Sequence, residues 1–254
     1  MPAPGDAAAF ITVYGRNPVL EALDDESVEV ERVLVSRSAR GDSVDEIVAA
    51  ARRRGVTLQR VAPEKVTRIS GNGRHDQGVV ADVAAPGVID LHDWLDQHAT
   101  PELPGPLVLL DGVTNPANVG MVIRTATAAG LAGVVLPRAG CPDLGPLVIK
   151  ASAGVAFRAT VLRATTAADA ARALRGAGIP LFGLRGAEAP SIFEGGLPAS
   201  AAYALGNESD GISAAVGTLV DGWRRIPMAG GVESLNIAVA AGVLCFELAR
   251  RAHT

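Results

Sequence analysis

The sequence predicts an α/β protein of two unequal domains, with a mainly parallel sheet in the larger, C-terminal one. Three observations predict it. From Leu107 onward, short apolar strands alternate with helical segments, the pattern of a parallel sheet covered on both faces. Before Ala85, valine-rich strands carry interleaved polar residues, as half-buried strands do. Between these regions, Pro86-Gly87 and the proline- and glycine-bearing stretch from His98 to Pro106 mark a boundary. The expected domains are therefore residues 1–86 and 106–254, with 87–105 as a linker.

The elements follow in order. Val28–Val35 reads as a strand, and Val44–Arg54 as a helix that stops at Arg52-Arg53-Arg54 before Gly55. Val56–Val61 is a second strand and Glu64–Ile69 a short helix. Ser70-Gly71-Asn72-Gly73-Arg74 is a loop by its turn residues, and Gly78–Val83 returns as a strand. A short helix is expected around Leu91–Gln97. Beyond it, strands are expected at Leu107–Asp111, Gly133–Leu136, Thr160–Leu162, Ile179–Leu184, Tyr203–Gly206 and Trp223–Pro227. Helices are expected at Asn118–Ala129, Leu147–Ala151, Ala167–Gly176 and Asn236–Arg251. No G-x-G-x-x-G follows the first strand of this series, which argues against an ordinary dinucleotide-binding dehydrogenase.

Bulk properties narrow the class. At 254 residues, 48% hydrophobic and 20% charged, the chain has enough apolar material for a real core. Its 27 acidic and 23 basic residues leave a net charge of −4, which argues mildly against a general nucleic-acid binder but says little about a local patch. Lys65 and Lys150 are the only lysines; a GC-rich genome explains that arginine bias better than phosphate binding does. Cys141 and Cys245 fit no metal-ligand spacing, so a reducing, cytoplasmic setting is expected. Met1–Ala9 has no signal-peptide pattern. The longest uncharged apolar run, Ile237–Phe246, is short of the roughly 20 residues that span a bilayer.

Three segments carry polar side chains where a packed core does not need them: Asn118-Val119-Gly120-Met121-Val122-Ile123-Arg124, Leu205-Gly206-Asn207-Glu208, and Ile226-Pro227-Met228 followed by Glu233-Ser234-Leu235-Asn236. In the first, Val119, Val122, Ile123, Ala126 and Ala129 form an apolar stripe, leaving Arg124 on the far side and Asn118 at the helix start. A surface arginine and a capping asparagine would look the same. In the second, a strand stops at a glycine, which permits close approach of a ligand beyond the carboxyl end of the sheet; Glu208 there reads equally as a turn residue. In the third, the uncharged helix from Ile237 is expected to be buried nearly all round, with Ser234 and Asn236 at its mouth. Ser234 is expected to cap it, and the Pro227–Gly231 loop to reach deep into the protein.

Together these segments resemble the three motifs of the TrmH/SpoU family of knotted RNA ribose methyltransferases, over about residues 107–250. The openings Val13-Tyr14-Gly15-Arg16-Asn17-Pro18-Val19 and His75-Asp76-Gln77-Gly78-Val79-Val80-Ala81 resemble the substrate-binding domain of that family's RlmB-like subgroup. The resemblance implies a deep trefoil (SPOUT) knot, otherwise almost absent from proteins. It also implies a homodimer through the knotted domain and S-adenosyl-L-methionine as cofactor, with no metal and no membrane. It places the cofactor against Leu184, Gly206, Ile226, Met228 and Leu235. Arg124 is implied as the catalytic residue, with Asn118, Glu208, Ser234 and Asn236 completing the active site. Two departures from the family pattern are Asn115 for a common aspartate and Met121 for a common small residue.

The implied activity is methyl transfer to a ribose 2′-hydroxyl of RNA, with 23S rRNA favoured over tRNA. Arginine is a poor base, its pKa being about 12.5 or higher, so Arg124 is expected chiefly to orient a phosphate and stabilise the developing alkoxide. Arg52, Arg53, Arg54, Arg68 and Arg74 are a candidate basic strip for RNA, although Arg52–Arg54 equally suit a helix C-terminus. The alternatives are a tRNA 2′-O-methyltransferase, an antibiotic-resistance rRNA methyltransferase, a base methyltransferase and a non-catalytic RNA-binding or ribosome-assembly factor.

Overall fold

The computed structural model describes residues 10–85, 87–98, 103–185 and 188–252. The chain begins with strand β1 (Phe10–Tyr14) and helix α1 (Arg16–Asp24). It continues through β2 (Val30–Ser36), α2 (Asp42–Arg53), β3 (Thr57–Val61), α3 (Pro63–Ser70) and β4 (Val79–Ala84). These strands form a four-stranded sheet in the order β1-β4-β2-β3. β4 runs antiparallel to both neighbours, and β2 and β3 pair in parallel.

Side chains alternate across each strand, and here the two faces acquire different helices. Val33 and Val35 join the core beneath α1 and α2, whereas Leu34 and Val80 pack with Val66 and Ile69 of α3. The candidate arginine strip is therefore divided, because α2 carries Arg52 and Arg53 on one side of the sheet and α3 carries Arg68 on the other. Arg54 is also spent structurally. Its guanidinium donates to the carbonyls of Ala22, Leu23 and Asp25 at 3.0–3.3 Å and of Val28 at 2.6 Å, tying down the end of α1.

The remaining elements are β5 (Val88–Asp90), α4 (Leu91–His98), β6 (Leu107–Asp111), α5 (Pro116–Ala128), β7 (Gly133–Pro137), α6 (Pro146–Ala151), β8 (Val161–Ala164), α7 (Ala167–Gly176), β9 (Leu181–Leu184), β10 (Ala202–Gly206), α8 (Ala214–Gly217), β11 (Gly222–Arg224) and α9 (Ile237–Ala252). Their seven strands form a second sheet in the order β11-β9-β10-β6-β7-β8-β5, with every pairing parallel. Residues 87–98, read from the sequence as part of the linker, belong to this layer: β5 pairs with β8, and Leu91, Trp94 and Leu95 of α4 enter its core.

The parallel sheet is apolar on both faces. Leu107 and Leu109 face the core under α4 and α7, while Val108 and Leu110 face the core shared with α5, α6 and α9. That second core is continuous with the one under α1 and α2, so the two domains are docked and not merely strung together. Gly120 permits the α5–α6 contact, since a Cβ there would lie 2.5 Å from the Val148 carbonyl oxygen.

Helix α9 departs from expectation. Ile237, Ala241, Leu244, Cys245 and Leu248 are buried, but Val239 and Phe246 are 53% and 55% exposed. They lie two turns apart on one face. The helix is uncharged over this stretch because one face is core and the other is an open apolar surface, not because it is buried all round.

Candidate functional site

The site lies where β9, β10 and β11 end, beyond the carboxyl edge of the parallel sheet, the usual ligand position in such folds. A cavity of ≈ 160 Å³ there is lined by Leu184 and Arg185 after β9, Leu205 to Glu208 after β10, Ile226 and Met228 after β11, and Ser234 and Leu235 before α9. All five residues expected to hold the cofactor, Leu184, Gly206, Ile226, Met228 and Leu235, thus share one wall system. Most of the wall is apolar side chain or backbone, a surface suited to a purine ring. Glu208, Arg185 and Ser234 add polar groups suited to hydroxyls and an amino-acid end.

At the edge of this cavity three side chains from distant segments converge. Asn118 is buried within the first turns of α5 and donates through Nδ2 to Glu208 Oε1 at 2.9 Å. Asn236 donates through Nδ2 to the same carboxylate oxygen at 2.6 Å and to Asn118 Oδ1 at 3.2 Å. The backbone N–H of Ile237 reaches Glu208 Oε1 at 3.3 Å. Glu208 therefore gathers the start of α9 and the buried amide of α5 around one anionic oxygen. A carboxylate at a helix N-terminus is favoured by the helix dipole and by the free N–H groups of its first turn.

Several local roles differ from the sequence reading. The cap of α5 is Asn115, whose Oδ1 accepts from the Ala117 N–H at 2.9 Å, so Asn118 is released to meet Glu208. The cap of α9 is Asn236, whose Oδ1 accepts from the Ala238 N–H at 2.9 Å. Ser234 lies exposed on the cavity wall instead. The loop from Pro227 to Gly231 is exposed or half-buried and does not penetrate the core. Gly206 is needed for the chain itself, because a Cβ there would sit 2.1 Å from the Gly211 carbonyl carbon. Asn207 and Gly211 close that turn with reciprocal backbone bonds of 2.9 and 2.8 Å.

Arg124 is exposed on α5 and does not line the main cavity. It lines a neighbouring hollow with Met121, Thr125, Ala151, Asn236, Ala238 and Val239, and Asn236 joins that hollow to the main cavity through its hydrogen bond to Glu208. Arg185 was missed in the sequence reading, and Asn207, quoted within its motif, was given no role there. The Arg185 guanidinium carbon lies 4.8 Å from the centre of the Trp223 ring, and Asn207 Nδ2 donates to the Gly112 carbonyl at 2.8 Å. Their only sequence signal was adjacency to Leu184 and Gly206 at strand ends.

The fold and cleft define a ligand-binding protein built on a doubly covered parallel sheet, preceded by a small mixed-sheet domain. The chain belongs to the SpoU rRNA Methylase family, whose signature matches residues 105–246. Residues 12–88 match the RNA 2′-O ribose methyltransferase substrate binding domain. The chain is similar to the 23S rRNA (guanosine-2′-O-)-methyltransferase RlmB of Xylella fastidiosa, with 34% identity over 94% of this chain and 96% of that protein. Among solved structures it is similar to the SpoU methyltransferase AviRb from Streptomyces viridochromogenes in complex with the cofactor AdoMet. There the TM-score is 0.67 and the identity 27%, over 96% of this chain and 91% of that one. An AdoMet-bound rRNA methyltransferase from Sinorhizobium meliloti matches with a TM-score of 0.65 and 27% identity, over 96% and 88% of the two chains.

Proposed function

We propose that this chain transfers the methyl group of S-adenosyl-L-methionine to the ribose 2′-hydroxyl of a guanosine in 23S rRNA. The observation that carries this reading is the Asn118–Glu208–Asn236 cluster at the rim of an apolar-walled cavity, in a chain of the SpoU family. The match to RlmB across nearly the whole of both chains supports 23S rRNA and guanosine. When bound, the cofactor supplies an electrophilic methyl group on a sulfonium.

The residues divide the work as follows. Leu184, Gly206, Ile226, Met228 and Leu235 form the cofactor's walls, and Ser234 and Glu208 meet its polar part or the incoming ribose. Asn118 and Asn236 hold Glu208 in place. Arg124, reachable from solvent beside Asn236, orients the RNA phosphate and stabilises the alkoxide that forms as the hydroxyl loses its proton. Preorganised positive charge beside a developing oxyanion is commonly a large catalytic contribution.

The exposed apolar face of α9, with Val239 and Phe246, continues onto Met121 of α5 beside the Arg124 hollow. We place a second copy of the chain there, which makes Arg124 a residue at the edge of a dimer interface. Membership of the SpoU family supports the trefoil threading expected for the C-terminal domain. Among the described residues no helix is long and apolar enough to cross a membrane.

The test is tritiated methyl transfer to protein-free 23S rRNA, 16S rRNA and bulk tRNA, with the product nucleosides identified. A 2′-O-methylguanosine formed in 23S rRNA alone is the expected result. Cofactor binding without transfer to any of the three RNAs would refute the substrate assignment. Light scattering of a Phe246→Glu variant checks the dimer: the expected result is a monomer, and an unchanged mass removes this face as the interface.

A further inference from the structure

A cleft of about 720 Å³ that the proposed function does not use lies between the domains. One wall is the edge strand β1, with Phe10, Thr12 and Tyr14; the other is the carboxyl end of β7 and β8, with Arg138 and Arg163. Arg163 is only 4% exposed. Its Nη2 donates to Asp143 Oδ1 at 2.7 Å, yet its Nη1 is buried with no hydrogen-bond partner among the described residues.

A buried guanidinium N–H without an acceptor is uncommon, and it leaves donor capacity in this group that the protein itself does not use. The charges point the same way. Arg138 is exposed, makes no side-chain hydrogen bond or ion pair among the described residues, and stands near enough to Arg163 to repel its charge. Asp143 is the carboxylate of the group, but its side chain is 85% exposed, so water screens much of its charge. Two guanidinium groups and one solvated carboxylate leave the cleft short of one anion. Forked guanidinium groups suit phosphate oxygens in particular. On the opposite wall Phe10 presents a 49% exposed ring, the kind of platform on which an unpaired base stacks.

We propose that this cleft seats one nucleotide of the substrate RNA, its phosphodiester on Arg138 and Arg163 and its base against Phe10. The inference rests on the RNA methyltransferase reading and adds to it a contact outside the cofactor cavity. The bound nucleotide touches both domains at once, so the N-terminal domain is aligned with the strand ends by the RNA itself. The cavity assigned to the cofactor shares no lining residue with this cleft.

The experiment is filter binding of protein-free 23S rRNA over a series of salt concentrations. Wild type is compared with Arg138→Ala, Arg163→Lys and Phe10→Ala, with S-adenosyl-L-methionine affinity confirming that each variant is folded. Arg138→Ala, at an exposed position, should reduce the log–log salt slope by about one. Arg163→Lys keeps the charge and loses the fork, so its slope should hold while affinity falls several-fold. Phe10→Ala should weaken binding roughly tenfold with the slope unchanged.

If wild type binds and methylates 23S rRNA while Arg138→Ala and Phe10→Ala behave as wild type, the cleft inference is overturned and the activity stands. If wild type neither binds nor methylates RNA, the methyltransferase reading fails first and takes this one with it. Titration with inorganic phosphate separates a free-anion site: phosphate binding that depends on Arg138, alongside an unchanged RNA slope, overturns the RNA occupant.

Discussion

The two ends of α9 are both held by a glutamate, and they are held in opposite ways. At the start of the helix, Glu208 Oε1 accepts from two neutral amides and a backbone N–H. Near the end, Glu247 is gripped by charged partners, with Arg250 at 2.9 Å through both nitrogens and Arg251 Nε at 2.6 Å. Arg251 also donates to the carbonyls of Ile192 and Gly195, tying the loop before β10 to the helix. The hydrogen bonds from Arg250, with Arg251 adding to them, hold the Glu247 carboxyl well below its usual range, at about 2. One end is ion-paired and closed. The other is met by neutral donors and borders a cavity, so groups of the same chemistry are held in two different settings.

The sharpest way to break this comparison is to remove charge at the open end. Arg124→Ala, beside Asn236, should lower methyl transfer by about 10²–10³-fold, as loss of an oxyanion-stabilising donor does, with little change in melting temperature because the side chain is exposed. An Arg124→Gln enzyme with near-normal turnover would count against Arg124 in both of its proposed roles. Glu208→Ala should remove activity and also destabilise, since it strands the buried Asn118 amide; roughly 1–3 kcal/mol is expected from denaturant unfolding. Equal losses of activity from Glu208→Ala and Glu247→Ala would erase the distinction.

At the closed end the effects are smaller. Glu247→Ala should cost on the order of 1 kcal/mol, with Arg250 largely exposed and exposed pairs contributing little, and turnover well below the melting temperature should be unchanged. Its pH dependence has a definite sign. The folded pKa is about 2 against an ordinary 4.5, so the Glu247 contribution is complete above pH 4.5 and is lost as pH falls toward 2. Acid unfolding of Glu247→Gln should accordingly be less steep across that window than that of wild type.

Much of the site was legible because its residues sit at abrupt junctions. Gly206 and Glu208 end a strand, Leu184 ends another, and Asn236 begins a helix. What failed needed the third dimension. The arginine strip dissolved because β-strand alternation sends α2 and α3 to opposite faces, which no linear spacing reveals. Whether Asn118 caps α5 or meets a site group was left open by the sequence, because Asn115 and Asn118 are chemically alike and only the distance to Glu208 separates them. The three residues of β5 are too few to show periodicity. The exposed side of α9 was read as core because an exposed apolar face has the same composition as an interior.

The place of β10 in the sheet also governs how the molecule comes into being. Its two neighbours are β9, close in sequence, and β6, where Ala202 pairs with Leu107 across most of the C-terminal domain. Every pairing of this sheet is parallel, so none can be seeded by a tight hairpin, and each must close a long loop before it gains anything. A chain of this kind is expected to mature slowly, passing through states that expose unpaired apolar strands. Yield of the folded protein should therefore respond to expression temperature and to chaperone supply well before any change in its equilibrium stability is detectable.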